Sequence, residues 1–346
     1  MPETQRTTEE LAPAVEALLS ERTGSEVKVK ALQPLFGGAC QDNYKVDLSF
    51  SRGDFAGDRR VVLRSDANQS LPGSLDRARE FQVIQAAVAA GVRTPPARWL
   101  SQGLVRPGAG AYFLDWAEGE AIGRRVVKHP ELAAARQTLP EALASELAKL
   151  HTVTRASAPS LSIDRDGQAG KGPAAAALLF ARLMADRMRE PHPAIELALR
   201  WCADHVPAQE EETLVHGDYR TGNFMVTPAG LSAVLDWEFA HFSDPMEDVA
   251  WICVRDWRFG QNQLPAGGLA TRQRFYDAYA KASGRAVDPA KVHWWEVMGN
   301  ARWAVGSVMQ GERYLSGEES DLELIAIARR AVEMEYEALR LIEKGA

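Results

Sequence analysis

The stretch from Leu214 to Glu238, LVHGDYRTGNFMVTPAGLSAVLDWE, constrains this chain more than any other. Phe224 to Val226 and Leu231 to Leu235 are short apolar runs. Thr227-Pro228-Ala229-Gly230 between them has Pro second and Gly fourth, as a type I turn prefers. A hairpin with those four residues as its loop sets Val226 opposite Leu231, Asn223 opposite Val234 and Thr221 opposite Asp236. Side chains alternate along a strand, so Asn223 and Asp236 project from one face, with Cα atoms about 7–8 Å apart on the diagonal. Two such oxygen ligands suit Mg²⁺, which leaves its other positions to water and phosphate. Asp218 lies in the loop just before, where a carboxylate can take the proton of an attacking hydroxyl. Singly, these residues are explained by turn chemistry, since Asp and Asn favour loops and strand ends. As an ordered set on one face they point to phosphoryl transfer.

A chain of 346 residues can bury a full core and is expected to divide in two, at 1–115 and 116–346. Its 46% hydrophobic and 25% charged content is ordinary for a globular protein, and a net charge of −7 argues against a nucleic-acid partner. Three scattered cysteines, Cys40, Cys202 and Cys253, form neither a disulfide framework nor a zinc site. Met1-Pro2-Glu3 opens no signal peptide, and no apolar run approaches the ~18 residues of a membrane span. The expectation is a cytoplasmic protein without a membrane partner.

Thr8 to Arg22 carries a helical stripe, and Val27–Phe36, Tyr44–Phe50 and Arg60–Arg64 read as strands. Ser74 is the expected N-cap of a helix running to about Ala90, followed by strands at Trp99-Leu100 and Ala111–Leu114. Helices are expected at 140–153, 174–189, 193–205, 292–309 and 321–342. The fold class is therefore α+β, with a β-rich first region and a helical second one.

HGDYRTGN, then VLDWE, then DPMEDVAW resembles the aminoglycoside phosphotransferase and choline kinase family of the protein-kinase-like two-lobe fold. VLDWEFAHFSDPMEDVAWICVRDWRFG is also similar to the kinase-like domains attached to some acyl-CoA dehydrogenases. The resemblance implies a small N-terminal nucleotide-binding lobe and a larger helical lobe with the catalytic loop and acceptor pocket. It makes Asp218 the catalytic Asp, Asn223 and Asp236 ligands of Mg²⁺, and Asp248 a structural Asp that holds the catalytic loop. His216, next to that loop, is expected to be a packed, hydrogen-bonded histidine rather than a base. It further implies that Gly37 and Gly38 cover the phosphates of ATP or GTP and that Asp115, Trp116 and Ala117 form the hinge against the base. Arg64 stands where kinases place a Lys on the phosphates, and Glu80 where its ion-pair partner is expected. The bland alternatives are a hairpin turn at Gly37-Gly38, a solvent-facing Glu80, an exposed Arg64 and a plain linker at 115–118.

Three functions follow. The first is an ATP- or GTP-dependent phosphotransferase acting on the hydroxyl of a small molecule, such as a hydroxyacyl-CoA-like metabolite. The second is an aminoglycoside or macrolide antibiotic phosphotransferase. The third, motivated by Arg64, is a nucleotide-binding pseudokinase module.

Overall fold

The computed structural model describes residues 5–35, 41–66, 71–164, 171–208 and 211–345. Gly37 and Gly38 lie outside the described residues. The chain forms two compact units, one from the described residues up to Glu118 together with Ala233–Ala240, the other from Gly119–Ser232 with His241 onward.

The first unit is built on a five-stranded antiparallel sheet in the order β1-β2-β3-β5-β4: β1 Val27–Pro34, β2 Gln41–Phe50, β3 Gly57–Asp66, β4 Ala97–Gln102 and β5 Gly110–Asp115. Tyr44, Val46, Leu48 and Phe50 alternate inward along β2 and meet Val61, Leu63, Ala111 and Phe113. Helix α1 (Thr8–Thr23) closes that face with Leu11, Val15 and Leu19. Its start is fixed by a capping box between Thr7 and Glu10, and its end by Gly24 at φ 63°. Alternation sends Tyr112 and Arg64 to the opposite face, where α2 (Arg77–Ala89) packs Phe81 edge-on against Tyr112 at 6.0 Å. The N-cap of α2 is Asp76, not Ser74: the Asp76 carboxylate accepts from Arg79 N at 2.8 Å, while Ser74 Oγ donates to Leu71 O.

The second unit is mostly helical. It contains α3 (Gly123–Lys128), α4 (Ala133–Leu150), α5 (Pro173–Ala185), α6 (Pro193–Asp204), α7 (Met246–Trp251), α8 (Arg272–Ser283), α9 (Pro289–Leu315), α10 (Glu323–Ala328) and α11 (Ala331–Lys344). β6 (Thr213–Val215) pairs with β9 (His241–Ser243), and β7 (Phe224–Thr227) with β8 (Gly230–Val234). The spine is α9, 27 residues long, which buries Trp294, Trp295, Met298, Ala301, Ala304 and Val305. Burial of a large apolar side chain stabilises by about 1.5–3 kcal/mol, so this stripe is a main anchor of the unit. Helix α4 begins seven residues before Pro140, because Ala133–Gln137 are strong helix formers, and Pro140 sits inside it. The expected 321–342 helix is interrupted between α10 and α11.

Candidate active site

The loop from His216 to Asn223 joins β6 to β7. Asp248, in the first turn of α7 and fully buried, accepts from His216 N at 2.7 Å through Oδ2 and from Gly217 N at 2.9 Å through Oδ1. Its Oδ2 also lies 3.3 Å from His151 Nε2, whose Nδ1 meets the Tyr279 hydroxyl at 2.7 Å. Gly217 adopts φ 77°, a conformation that disfavours a side chain, which accounts for glycine directly before Asp218. Its carbonyl accepts from Arg302 Nη2 at 2.9 Å, while Arg302 Nη1 donates to Glu247 at 2.8 Å.

These contacts fix where Asp218 points. Trp251 Nε1 donates to its Oδ1 at 2.8 Å, Asn223 Nδ2 to its Oδ2 at 2.7 Å, and Arg220 Nε to both oxygens at 3.1 Å. Arg302 stacks on Trp251 at 3.8 Å and Arg220 on Trp257 at 4.5 Å, so both donors are held from behind. Asn223 Nδ2 also donates to Asp218 O at 3.0 Å, and among the described residues Asn223 Oδ1 makes no hydrogen bond. His216 is buried, and its Nδ1 accepts from Asp218 N at 3.3 Å.

In the β-rich unit a second group of charges gathers on the α2 face of the sheet. Arg64 Nη2 donates to Glu80 Oε1 at 3.1 Å and to Asp236 Oδ1 at 3.0 Å. Arg77, one helical turn before Glu80, holds the other Glu80 oxygen at 2.5 Å and lies 3.6 Å from Glu238. Burial works against the Arg64 charge, but the carboxylates of Glu80 and Asp236 outweigh it and hold its pKa well above the ordinary value. Burial, reinforced by the charge of Asp236, raises the Glu238 carboxyl. Asp236 is a non-glycine residue at φ 67°, a local strain of the kind that persists where surrounding structure enforces it. Two arginines face the carboxylates of Glu80, Asp236 and Glu238 here, with Asp66 3.4 Å from Arg77, and the Glu238 carboxyl is pushed up to about 8. Asn223 Oδ1 and the Asp236 carboxylate are hard oxygen donors of the type Mg²⁺ takes.

The structure thus brings Asp218, Asn223, His216 and Asp248 together in the helical unit, and Arg64, Glu80 and Asp236 in the β-rich unit. In the segment expected to be the hinge, the Asp115 carboxylate is engaged by Arg98 at 2.7 Å and Trp116 lies under Arg60 at 5.4 Å. Asp115 N donates to Pro96 O and Trp116 N to Arg60 O. The sequence reading missed Trp251, Arg220, Arg302 and Arg77 as partners of the site. Arg77 alone carried a readable signal, its i,i+3 spacing from Glu80 on a helix. His241 Nε2 lies 3.2 Å from Glu247 Oε2.

Comparison with known proteins places this geometry. Residues 32–332 match the family model described as the phosphotransferase enzyme family. Acyl-CoA dehydrogenase family member 10 of Mus musculus is 27% identical over 281 residues, which cover 76% of this chain but only 25% of that protein. The chain thus spans about a quarter of that relative's length. Among solved structures, that of a putative aminoglycoside phosphotransferase from Ralstonia eutropha JMP134 superposes with a TM-score of 0.73 at 20% identity, covering 96% of this chain and 98% of that one. A thermostable mutant of aminoglycoside phosphotransferase APH(4)-Ia, in ternary complex with ADP and hygromycin B, gives 0.59 at 17% identity, covering 95% and 98%. These likenesses bear out the kinase-like α+β fold expected from the motifs. Matched along most of its length, the chain belongs to the phosphotransferase enzyme family.

Proposed function

We propose that this protein is a nucleotide-dependent small-molecule kinase, moving the γ-phosphoryl group of ATP or GTP to the hydroxyl of a metabolite. The observation that carries the reading is Asp218, a carboxylate fixed by Trp251, Asn223 and Arg220 on a loop tied down through Asp248. Asp218 orients the acceptor hydroxyl and takes its proton as the oxygen attacks phosphorus. The β-rich unit binds the nucleotide. Arg64, set by Glu80, binds phosphate oxygens through its planar fork. With the N–H groups of Asp115 and Trp116 bonded to Pro96 and Arg60, the Ala117 N–H is the hinge donor assigned to the base. Asn223 and Asp236 would hold Mg²⁺, which when bound neutralises phosphate charge. Positioning and electrostatics then supply most of the rate. The ADP in the APH(4)-Ia complex supports nucleotide use, and the resemblance to an acyl-CoA dehydrogenase relative supports a hydroxyacyl thioester over an antibiotic as acceptor.

A second reading is favoured by one contact. Arg64 engages an oxygen of Asp236, the residue assigned to the metal, as it would in a module that binds nucleotide without turning it over. A panel of aminoglycosides, macrolides, choline-like amines and hydroxyacyl-CoA esters, incubated with MgATP or MgGTP, separates the readings. The kinase reading expects one alcohol to raise nucleotide consumption and to appear as a phosphate monoester by phosphorus NMR. Nucleotide binding with no turnover across the panel favours the module, and no binding of either nucleotide contradicts both.

A further inference from the structure

The helical unit holds a cavity of about 660 Å³ whose wall includes Arg255, Arg258, Arg272 and Arg340, from the 3-10 turn after α7 and from α8 and α11. Two buried glutamates hold them, Glu337 on the cavity wall itself and Glu296 outside the lining. Glu337 accepts from Arg258 at 2.8 Å, from Arg340 at 2.5 and 3.0 Å and from Arg255 at 3.4 Å, while Glu296 accepts from Arg272 at 2.7 Å and from Arg258 at 3.3 Å. The third carboxylate, Glu333 at 3.3 Å from Arg255, is half exposed. Burial opposes ionisation of Glu337, but the hydrogen bonds from Arg340 and Arg258 outweigh it and bring its carboxyl down to about 2.

Four guanidinium groups therefore meet three carboxylates, and the positive charge is in excess. The donors are in excess as well. Among the described residues, Nη2 of Arg255 and Nη1 of Arg258, Arg272 and Arg340 make no hydrogen bond, although every other terminal nitrogen of these four side chains does. None of these four nitrogens is among the buried atoms left without a partner, so each is open to solvent and can donate to a ligand that enters the cavity. None of these arginines bonds Asp218, whose partners are Trp251, Arg220 and Asn223.

We propose that this cavity is a ligand site separate from the catalytic carboxylate, for a small oxyanion bearing two or more acidic groups. Guanidinium forks match the planar edge of a carboxylate and the oxygens of a phosphate, and several around one volume favour a multiply charged ligand over chloride. Uncharged Asn262 and Gln273 also line the cavity and lie outside the arginine–glutamate network. The site needs no turnover at Asp218.

The test is calorimetric titration of the full chain, without divalent cations and at ionic strength fixed with chloride. Inorganic phosphate and citrate are the two probes, so that phosphate and carboxylate ligands are told apart. Saturable binding of at least one probe is expected. Arg340→Gln, and Asn262→Asp and Gln273→Glu, which add a carboxylate to the wall without touching the network, should each weaken it about tenfold. Arg274→Gln, on the same helix as Gln273 but paired with Glu141 and outside the cavity, should leave it unchanged. The proposal is overturned if neither probe saturates, or if Asn262→Asp and Gln273→Glu bind as tightly as the parent. Arg274→Gln weakening binding as much as the wall variants would also overturn it. Should Arg340→Gln unfold, the two wall variants decide.

Discussion

Asp248→Asn isolates the contact that sets the catalytic loop. Asp248 is fully buried, and each of its oxygens accepts one backbone N–H, from His216 at 2.7 Å and from Gly217 at 2.9 Å. Asparagine keeps the shape but turns one acceptor into an NH₂ group, so one N–H faces a donor in either flip. The loss of a charge-assisted bond costs about 1.5–3 kcal/mol, and an orphaned buried N–H about 1–3 kcal/mol. Together they come to roughly 3–5 kcal/mol, a large fraction of the stability of a domain. At about 2–4 °C per kcal/mol, the melting temperature should fall by roughly 6–20 °C. Phosphotransfer at 25 °C should fall further than the unfolded fraction explains, because a displacement of about 1 Å at Asp218 costs on the order of 10²-fold. Thermal melts by circular dichroism, with kcat measured on the folded variant, test both. A melting temperature within 2 °C of the parent with unchanged kcat would refute the reasoning.

Two further predictions concern buried charges. Arg64→Met leaves Asp236 without its 3.0 Å partner while Glu80 keeps Arg77; the KM for Mg-nucleotide should rise at least tenfold, by about 1.4 kcal/mol, and an unchanged KM would remove Arg64 from the nucleotide site. Glu337→Gln should destabilise the helical unit by at most about 3 kcal/mol at pH 7, following a drop in pKa from 4.5 to about 2. The folded-state pKa lies below the unfolded one, so the stabilisation is present above about pH 4.5 and is lost as pH falls towards 2. Melts of the parent and the variant should converge over that window, and a constant gap would contradict the assignment.

Much of this was legible because local chemistry and fold agree. The turn at Thr227–Gly230, the period-two burial of Tyr44 to Phe50 and the stripe on α9 are each written in neighbouring residues. The order of Asp218, Asn223, Asp236 and Asp248 was likewise enough to identify the family. What was not legible depends on partners distant in sequence. Trp251 reaches Asp218 across 33 residues, and Arg302 reaches Gly217 across 85. Trp99 takes φ 50° at a register shift in the β4–β5 pairing, which no propensity of tryptophan announces. The N-cap of α2 fell two residues from Ser74 because Asp76 offers the same capping chemistry with a charge. The arginine excess around Glu296 and Glu337 joins segments some 80 residues apart, and in the sequence it reads only as interleaved surface charge.

Asp218→Asn tests the central claim most directly. The amide keeps the side chain's size and can still accept from Trp251, but it cannot take a proton from the acceptor hydroxyl. With the acceptor found by the panel, kcat should fall by about 10²–10⁴-fold while the Kd for Mg-nucleotide stays within about threefold. A variant that retained half or more of the parent kcat would contradict the account.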